Sequence, residues 1–266
     1  MLDKLTLTNA KEITLEAIFD RLTNEFTRKS TIKRLTKYHY SAVVLYRGEA
    51  PLATIHVDPV FPNILPTKVE INPSRFRTFR ELSAIISKID EPHTWTITRI
   101  DHAVDLALSI EEIRNTFRVK RKKWHEVYGN GKTLTGFTIG KSPERIVVYD
   151  KARELKKDTI LSRVEISQHQ NKVPIKKYSD LPKYLSYSPF QSIQIKKLNE
   201  DLKAKNDVRK KNELEYYIKK CGVHRAFKML NENSNFLRDY GKVFIDDKNA
   251  PCLNSLYQEN LSQFFC

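Results

Sequence analysis

The feature that most constrains the fold is a run of short strand patterns between residues 95 and 168. Residues 95–108 are rich in Val, Ile and Thr, and they are followed by LTGFTIG (134–140), RIVVYDK (145–151) and SRVEISQ (162–168). Turn residues, and no helix-length pattern, separate the middle two. Since β-branched residues favour strands and short connections favour hairpins, the sequence predicts an α+β fold with a central antiparallel sheet. A parallel Rossmann-type sheet is not expected.

Earlier segments extend this sheet. Residues 2–7 and 37–46 are strand patterns, and Leu15, Ile18, Leu22 and Phe26 between them have helical spacing. Residues 52–59 and 68–73 predict an antiparallel pair. Asn72, Pro73 and Ser74 predict the start of a helix whose apolar face ends at Ile89, and Ser109 predicts the start of another over 109–117.

The last quarter of the chain has a different composition. From about residue 190 it is highly charged and helical in pattern, with an apolar stripe that includes Leu214, Ile218 and Cys221. We therefore expect two units. Residues 1–190 form a domain that carries the chemistry, with helices flanking its sheet, and residues 191–266 form a basic helical segment.

The charge balance points to a polyanionic partner. Lys and Arg number 47 against 32 Asp and Glu, which gives a formal charge of +15 and a pI near 9.6. Nucleic acid is the first candidate and an acidic membrane surface the second. The three cysteines lack a C-x-x-C spacing and fit a reducing cytoplasm. We expect the protein to be neither exported by a standard signal nor membrane-spanning. Because the sequence has no Gly-rich phosphate loop, we expect that it does not hydrolyse ATP.

Acidic residues recur on the predicted strands. In R99-I-D-H-A-V-D105 alternation places Arg99, Asp101 and Asp105 on one face and His102 on the other, where a packed or surface histidine is expected. Glu70 and Glu165 lie in similar apolar settings. Carboxylates that share a face need a cation, so Mg²⁺ or Mn²⁺ is one solution. The alternatives are that Asp101 pairs with Arg99 or another basic side chain, that Asp105 caps the following turn, and that cross-strand salt bridges form with Arg163.

Tyr149 is the candidate nucleophile. Alternation in R145-I-V-V-Y-D-K151 places its phenol on the same strand face as Arg145 and Lys151, an environment that favours phenolate and phosphate together. The chain has twelve tyrosines, and a strand tyrosine is usually a packing residue. The pattern by itself therefore does not separate the two roles.

Five segments in order carry a resemblance to a known family. V69-E-I-N-P73, T98-R-I-D-H-A-V-D105, F137-T-I-G-K-S142, R145-I-V-V-Y-D-K151 and R163-V-E-I166 resemble the motif series of the Rep_trans replication initiation family. The family includes rolling-circle plasmid initiators and some conjugative relaxases. It resembles the HUH endonucleases in fold. The resemblance covers roughly residues 68–168, while the first 67 residues and the helical tail match only loosely.

The resemblance implies roles for these residues. Tyr149 would nick one strand at the origin, forming a 5'-phosphotyrosine and a 3'-hydroxyl primer, with Arg145 and Lys151 beside it. Asp101, Glu70, Glu165 and Asp105 would be the metal ligands, and Arg99 would hold phosphate. The implied partners are origin DNA, duplex and single-stranded, a host helicase and a DNA polymerase. A single nucleophile also suggests a homodimer or a water-assisted step that closes the circle.

The remaining basic residues predict DNA contacts. A basic cluster that precedes the turn at Gly129 could contact successive phosphates of the DNA backbone. It consists of Arg118, Lys120, Arg121, Lys122 and Lys123. The basic helix of the C-terminal segment could also contact phosphates, and for that segment the alternative is a charged face exposed to solvent. Two alternative functions remain open, a mobilisation relaxase with the same chemistry and a non-catalytic DNA-binding regulator.

Overall fold

The structure is a computed structural model. It describes residues 1–22, 27–31, 39–119, 123–129, 133–230, 240 and 242–265. Phe26, Lys120, Arg121 and Lys122 lie outside these residues. Among the described residues, no helix is long and apolar enough to cross a membrane.

A ten-stranded antiparallel sheet dominates the structure, and the predicted α+β class is confirmed. Its spatial order is β2-β3-β4-β5-β1-β6-β11-β10-β9-β8. The strands of the described residues, which include three outside this sheet (β7, β12 and β13), are β1 (Leu2–Asn9), β2 (Thr27–Thr31), β3 (His39–Arg47), β4 (Ala50–Pro59), β5 (Thr67–Ile71), β6 (Thr96–Leu106), β7 (Phe117–Val119), β8 (Trp124–Gly129), β9 (Thr133–Lys141), β10 (Glu144–Asp150), β11 (Ser162–His169), β12 (Ile193–Leu198) and β13 (Phe244–Asp246). The pair of β4 and β5 is antiparallel, as predicted.

The described helices are α1 (Leu15–Arg21), α2 (Phe79–Ile89), α3 (Ile110–Thr116), α4 (Lys151–Glu154), α5 (Lys205–Leu230) and α6 (Leu253–Phe265). Helices α1, α2, α3 and α6 pack on one face of the large sheet, whereas the buried side chains of α5 belong to a second cluster. The apolar side chains of α2 and of the last helix join those of the strands in one buried core. One sheet face is thus apolar and covered by helices, and the polar residues of the same strands point the other way.

Two helix starts were predicted, with different outcomes. Ser109 opens α3 through a reciprocal capping box with Glu112, as predicted. The predicted start at residues 72–74 is wrong for α2, because Pro73–Arg75 form a separate 3₁₀ turn. Helix α2 begins at Phe79, where the Thr78 side chain accepts a hydrogen bond from the Glu81 amide.

The strand of Tyr149 ends earlier than predicted. It stops at Asp150, whose side chain caps α4 by accepting a hydrogen bond from the Arg153 amide. Lys151 is therefore the first residue of a short helix and not a strand residue. Its ammonium still lies 5.8 Å from the centre of the Tyr149 ring.

The C-terminal region is helical with additional strands. Strand β12 pairs with β7 and β13 in a separate three-stranded sheet, which the helical pattern did not predict. In α5, Gly222 has φ of 77° and interrupts the helix. The positive φ favours glycine, and a Cβ there would also lie 2.8 Å from the Arg114 side chain, which would have to move. Tyr257 and Leu261 of α6 are buried in the core of the large sheet. The boundary near residue 190 stays a prediction.

Candidate active site

The uncovered face of the sheet carries the predicted site residues on neighbouring strands. Register places Glu70 of β5 and Arg99 of β6 on either side of Thr6, and Asp105 of β6 and Tyr149 of β10 on either side of Arg163. Directly paired residues point to the same side of a sheet. Tertiary structure therefore brings residues 79 positions apart in the sequence, such as Glu70 and Tyr149, to one face.

Asp101 is held by Arg99 on its own strand. The carboxylate is 1% exposed. It accepts a hydrogen bond of 2.9 Å from Nε of Arg99 and a second one from Nη2. Burial disfavours the charge of Arg99, but Asp101, and more weakly Glu165 and Glu70, raise the pKa of the guanidinium above its ordinary value. Arg99 is thus the cation that three predicted metal ligands share.

Arg163 binds two carboxylates in the neighbouring row. Its Nε and Nη2 donate to the two oxygens of Asp105 at 2.6 and 2.8 Å, and its Nη1 donates to Asp3 at 2.6 Å. Burial alone would lower the pKa of Arg163, but Asp105 and Asp3 raise it. This bidentate pair fixes the guanidinium beside Tyr149.

The other two predicted ligands differ sharply in charge environment. Glu70 forms salt bridges of 2.6 Å to Lys68 and 3.4 Å to Lys4. Burial would raise the pKa of Glu70, yet these ammonium groups lower it to about 2. Glu165 has no salt bridge within the described residues, and burial followed by the charges of Asp101 and Asp3 raises its pKa to about 7. Negative charge is therefore least compensated at Glu165.

Tyr149 is protonated in this setting. Burial raises the pKa of its phenol, and the charges of Glu154 and Glu165 add to that effect while Arg163 opposes it. The predicted phenolate-favouring strand face is therefore wrong, because burial outweighs the cations. Arg145 is exposed, and Lys151 forms a 2.9 Å salt bridge with Glu154. The cation that acts most strongly on the Tyr149 phenol is Arg163.

His102 belongs to the opposite, covered face, as predicted for a packed residue. It is fully buried, and its Nδ1 is 2.8 Å from the Tyr257 hydroxyl. Burial lowers the pKa of the imidazole to about 3, so the ring is neutral. Its partner lies on α6, which explains why the sequence could not assign it.

The carboxylates do not fit a divalent ion as they stand. Among the described residues, no group of three or more His, Cys, Asp or Glu is arranged to hold a metal. Asp101, Asp105 and Glu70 are each engaged by Arg or Lys. The alternative pairing of Asp101 with Arg99 is found, and so is a cross-strand salt bridge from Arg163, which engages Asp105 where turn capping had been the alternative for that residue. The predicted Mg²⁺ or Mn²⁺ stays a prediction.

Three residues of this face were missed or given another role by the sequence. Asp3 and Arg163 were not placed beside the nucleophile, although the R-V-E alternation could have shown that Arg163 shares a face with Glu165. Gly136 is directly opposite Tyr149 on β9. A Cβ at Gly136 would lie 2.4 Å from the Val148 oxygen and 3.3 Å from Cβ of Tyr149. Only glycine fits there.

The predicted DNA-binding residues are dispersed. Arg118 lies on β7, where burial lowers the pKa of its guanidinium, and Arg99 is engaged by Asp101. Lys123 is exposed and directly precedes β8. The predicted DNA contacts of these residues stay predictions.

Comparisons with known proteins give one solved structure to report. No family model and no curated protein matches the chain. The chain is similar to the structure of a rolling circle replication initiator protein from Geobacillus stearothermophilus, with 17% identity and a TM-score of 0.48. The match covers 76% of this chain and 88% of that one. Similarity at this level assigns no activity, so function is argued from the residues.

Proposed function

We propose that this protein is a rolling-circle DNA replication initiator that nicks one origin strand through Tyr149. The observation that carries the proposal is the common location of the five motif segments. Their strands, β5, β6, β9, β10 and β11, belong to one sheet, and their candidate metal-ligating carboxylates, Arg99, Arg163 and Tyr149 share the face opposite the apolar core. A phenol, two guanidiniums and five carboxylates, Asp3 included, on one face of the sheet suit chemistry on a phosphodiester.

The reaction is an in-line displacement at phosphorus. The Tyr149 oxygen bonds to the phosphorus as the bond to the 3'-oxygen breaks. The phenol loses its proton and the departing 3'-oxygen gains one, so the products are a 5'-phosphotyrosine and a 3'-hydroxyl. Because the phosphodiester energy is retained in the tyrosyl ester, attack by a 3'-hydroxyl on that ester can rejoin a strand, and no ATP is consumed.

Arg163 is the residue best situated to stabilise this step. It lies opposite Tyr149, and its position is fixed by Asp3 and Asp105. A fixed positive charge next to the phenol stabilises the phenolate character that develops during attack, without reorganisation at the moment of reaction. Lys151, 5.8 Å from the ring centre, adds a second cation.

The wider replication role extends this chemistry. The 3'-hydroxyl would prime synthesis by a host DNA polymerase, with a host helicase opening the duplex. Each chain carries one nucleophilic tyrosine, so a second subunit or a water-assisted step is needed to close the displaced circle. We therefore propose a homodimer.

The proposal is tested by trapping the covalent intermediate. The protein is incubated with supercoiled DNA from its own replicon in Mg²⁺ or Mn²⁺ buffer, and nicked circles and a protein-DNA adduct are measured. The wild type is expected to give both. Tyr149→Phe is expected to give neither, whereas Tyr216→Phe, an exposed tyrosine on α5, behaves as wild type.

The alternatives give different outcomes in the same assay. An adduct in Tyr149→Phe shows that another residue is the nucleophile. Duplex binding without nicking by the wild type identifies a non-catalytic regulator. Nicking at a transfer origin in place of a replication origin identifies a relaxase. Asp101→Asn is expected to abolish nicking while duplex binding persists, and equal loss of both assigns Asp101 a structural role.

A further inference from the structure

The region around α5 has an apolar core of its own. The buried apolar side chains described between residues 198 and 246 form one cluster, which includes Leu214 and Ile218 of α5 and Phe244 of β13. None of them belongs to the cluster beneath the large sheet, which α6 joins. We call residues 198–246 the α5 unit. Because the two cores are separate, contacts other than shared core packing join the α5 unit to the sheet.

One of these contacts is a carboxylate that pairs with two guanidiniums. Glu126 lies on β8, at the edge of the large sheet, and it points to the helix-covered side, as its cross-strand partner Phe137 does. Its Oε1 is 3.7 Å from Nη1 of Arg114 on α3, and its Oε2 is 3.2 Å from Nη2 of Arg225 on α5. The carboxylate therefore joins three elements that are distant in the sequence.

This cluster is largely withdrawn from solvent. Only 7% of the Glu126 side chain and 13% of the Arg114 side chain are exposed, whereas Arg225 is 60% exposed. The Tyr128 hydroxyl donates a further hydrogen bond of 2.7 Å to Glu126. Among the described residues, no other carboxylate pairs with Arg114. Loss of the Glu126 charge would leave that guanidinium buried without a counter-charge, which is strongly destabilising because the remaining charge stays desolvated.

The kink of α5 lies directly on Arg114. Gly222, at the kink, is buried, and a Cβ there would lie 2.8 Å from both Cγ and Nε of Arg114. The backbone of α5 thus approaches this side chain as closely as a glycine permits. The position of the kink therefore depends on where Glu126 holds the Arg114 side chain.

The same carboxylate is connected to the strand of Tyr149 by register. Glu126 is paired with Phe137 of β9, and Phe137 is paired with Val148 of β10, the residue before Tyr149. Within the described residues, β8 has no strand on its other side. Its pairing with β9 and its contacts with α3 and α5 therefore hold this edge of the sheet, two strands from the strand of Tyr149.

We propose that Glu126, Arg114 and Arg225 form an electrostatic clasp, through which docking of the α5 unit and order of the edge strand β8 change together. With the clasp closed, α5 covers Arg114 and β8 is held on the sheet. With the clasp open, the α5 unit has only its own small core, and α5 and β8 both open more often. Salt favours opening, because Arg225 is exposed and its attraction to Glu126 is screened. The clasp connects any ligand of the α5 unit to the strand of Tyr149, whatever reaction that residue performs.

The test is hydrogen exchange of the full chain, measured by mass spectrometry without DNA. Glu126→Gln keeps the shape of the side chain and removes its charge. Peptides from α5 and from β8 are both expected to exchange about tenfold faster or more, because a buried guanidinium loses its partner. Peptides from β1 and β6, in the middle of the sheet, should exchange as in the wild type. Raising NaCl from about 0.1 M to about 1 M should accelerate exchange of the wild type in the same two segments.

Two further variants serve as controls. Arg225→Gln removes the exposed guanidinium and keeps the buried pair of Glu126 and Arg114, so the fold is retained and a smaller acceleration is expected in the same two segments. Glu215→Gln removes a carboxylate of α5 whose 2.7 Å salt bridge to Lys219 stays within the helix. It should leave exchange of β8 unchanged.

The outcomes separate the clasp from simpler roles. Faster exchange of both α5 and β8 in the Glu126 and Arg225 variants, but not in Glu215→Gln, supports the proposal. Faster exchange of α5 alone shows that docking is independent of the edge strand and overturns it. Equal effects of Glu126→Gln and Glu215→Gln also overturn it. Acceleration that extends to β1 and β6 in both the Glu126 and Arg225 variants assigns the cluster a general stabilising role instead.

Discussion

Arg163 and Tyr149 are directly paired across β11 and β10, so a guanidinium and a phenol share one position on the uncovered face of the sheet. The guanidinium opposes the rise in the pKa of the phenol that burial causes. Asp3 and Asp105 hold it in place. A cation from the neighbouring strand thus takes the place that Arg145 and Lys151 have in the sequence pattern.

Arg163→Gln is expected to destabilise the protein, because it leaves Asp3 and Asp105 without their cation. A fully buried pair loses roughly 3–5 kcal/mol when one partner is removed. These two carboxylates are 24% and 27% exposed, so solvent screening reduces the expected loss in the free energy of unfolding to about 2 kcal/mol. Urea denaturation followed by circular dichroism measures it. Arg80→Gln is the control, and equal stability of the two variants would contradict the prediction.

Gly136→Ala is expected to disturb Tyr149 directly. The new methyl would lie 2.4 Å from the Val148 oxygen, so the strands must separate or Tyr149 must shift. Overpacking of this kind costs about 1–3 kcal/mol. Thermal denaturation and the yield of covalent adduct should both fall. Thr133→Ala, at the exposed start of the same strand, should change neither. Wild-type adduct yield in Gly136→Ala would show that the close approach is unimportant.

Arg99→Gln separates the ion-pair arrangement from a metal-binding one. Arg99 is the ion-pair partner of Asp101 and acts also on Glu165, so its removal leaves the negative charge of these two carboxylates uncompensated. We expect Mn²⁺ to bind more tightly to Arg99→Gln than to the wild type, as measured by isothermal titration calorimetry. Lys11→Gln, whose ammonium pairs with Asp90 elsewhere in the fold, provides the matched loss of one charge. Equal Mn²⁺ affinity in all three proteins is the result that would refute the shared-cation interpretation.

Asp90→Asn is expected to destabilise the protein at neutral pH by about 1–3 kcal/mol. The carboxylate accepts hydrogen bonds of 2.8 Å from Asn9, 3.0 Å from Lys11 and 3.1 Å from Thr94. Burial would raise the pKa of Asp90, but these donors lower it.

The pH dependence of this effect has a definite sign. A carboxyl with a lowered pKa in the folded state contributes stability that is present above its unfolded value of 3.8 and is lost as the pH falls further. The stability difference between wild type and Asp90→Asn should therefore shrink below about pH 4. The exposed Asp158→Asn variant should match the wild type throughout. A difference that grows on acidification would contradict the assignment.

Much of the sheet could be predicted because strand preference is local. The β-branched segments that contain Asp101, Tyr149 and Glu165 form strands at nearly the predicted positions, and alternation assigned their faces correctly. The end of the Tyr149 strand, which stops at Asp150, and the start of α2 were misassigned by one to a few residues. Capping by Asp150 and Thr78 decides them, and several nearby polar residues could have done so equally well.

The antiparallel α+β fold and the strand face that Tyr149 shares with polar neighbours could both be predicted, because they follow from local spacing along the chain. Which charges meet depends on how the strands are arranged in three dimensions. Strand order brings Asp3, Asp105 and Arg163 beside Tyr149, and it brings Glu70 and Glu165 near the Arg99–Asp101 pair that forms within one strand. Strand order depends on long-range pairing, which alternation along a single strand does not encode.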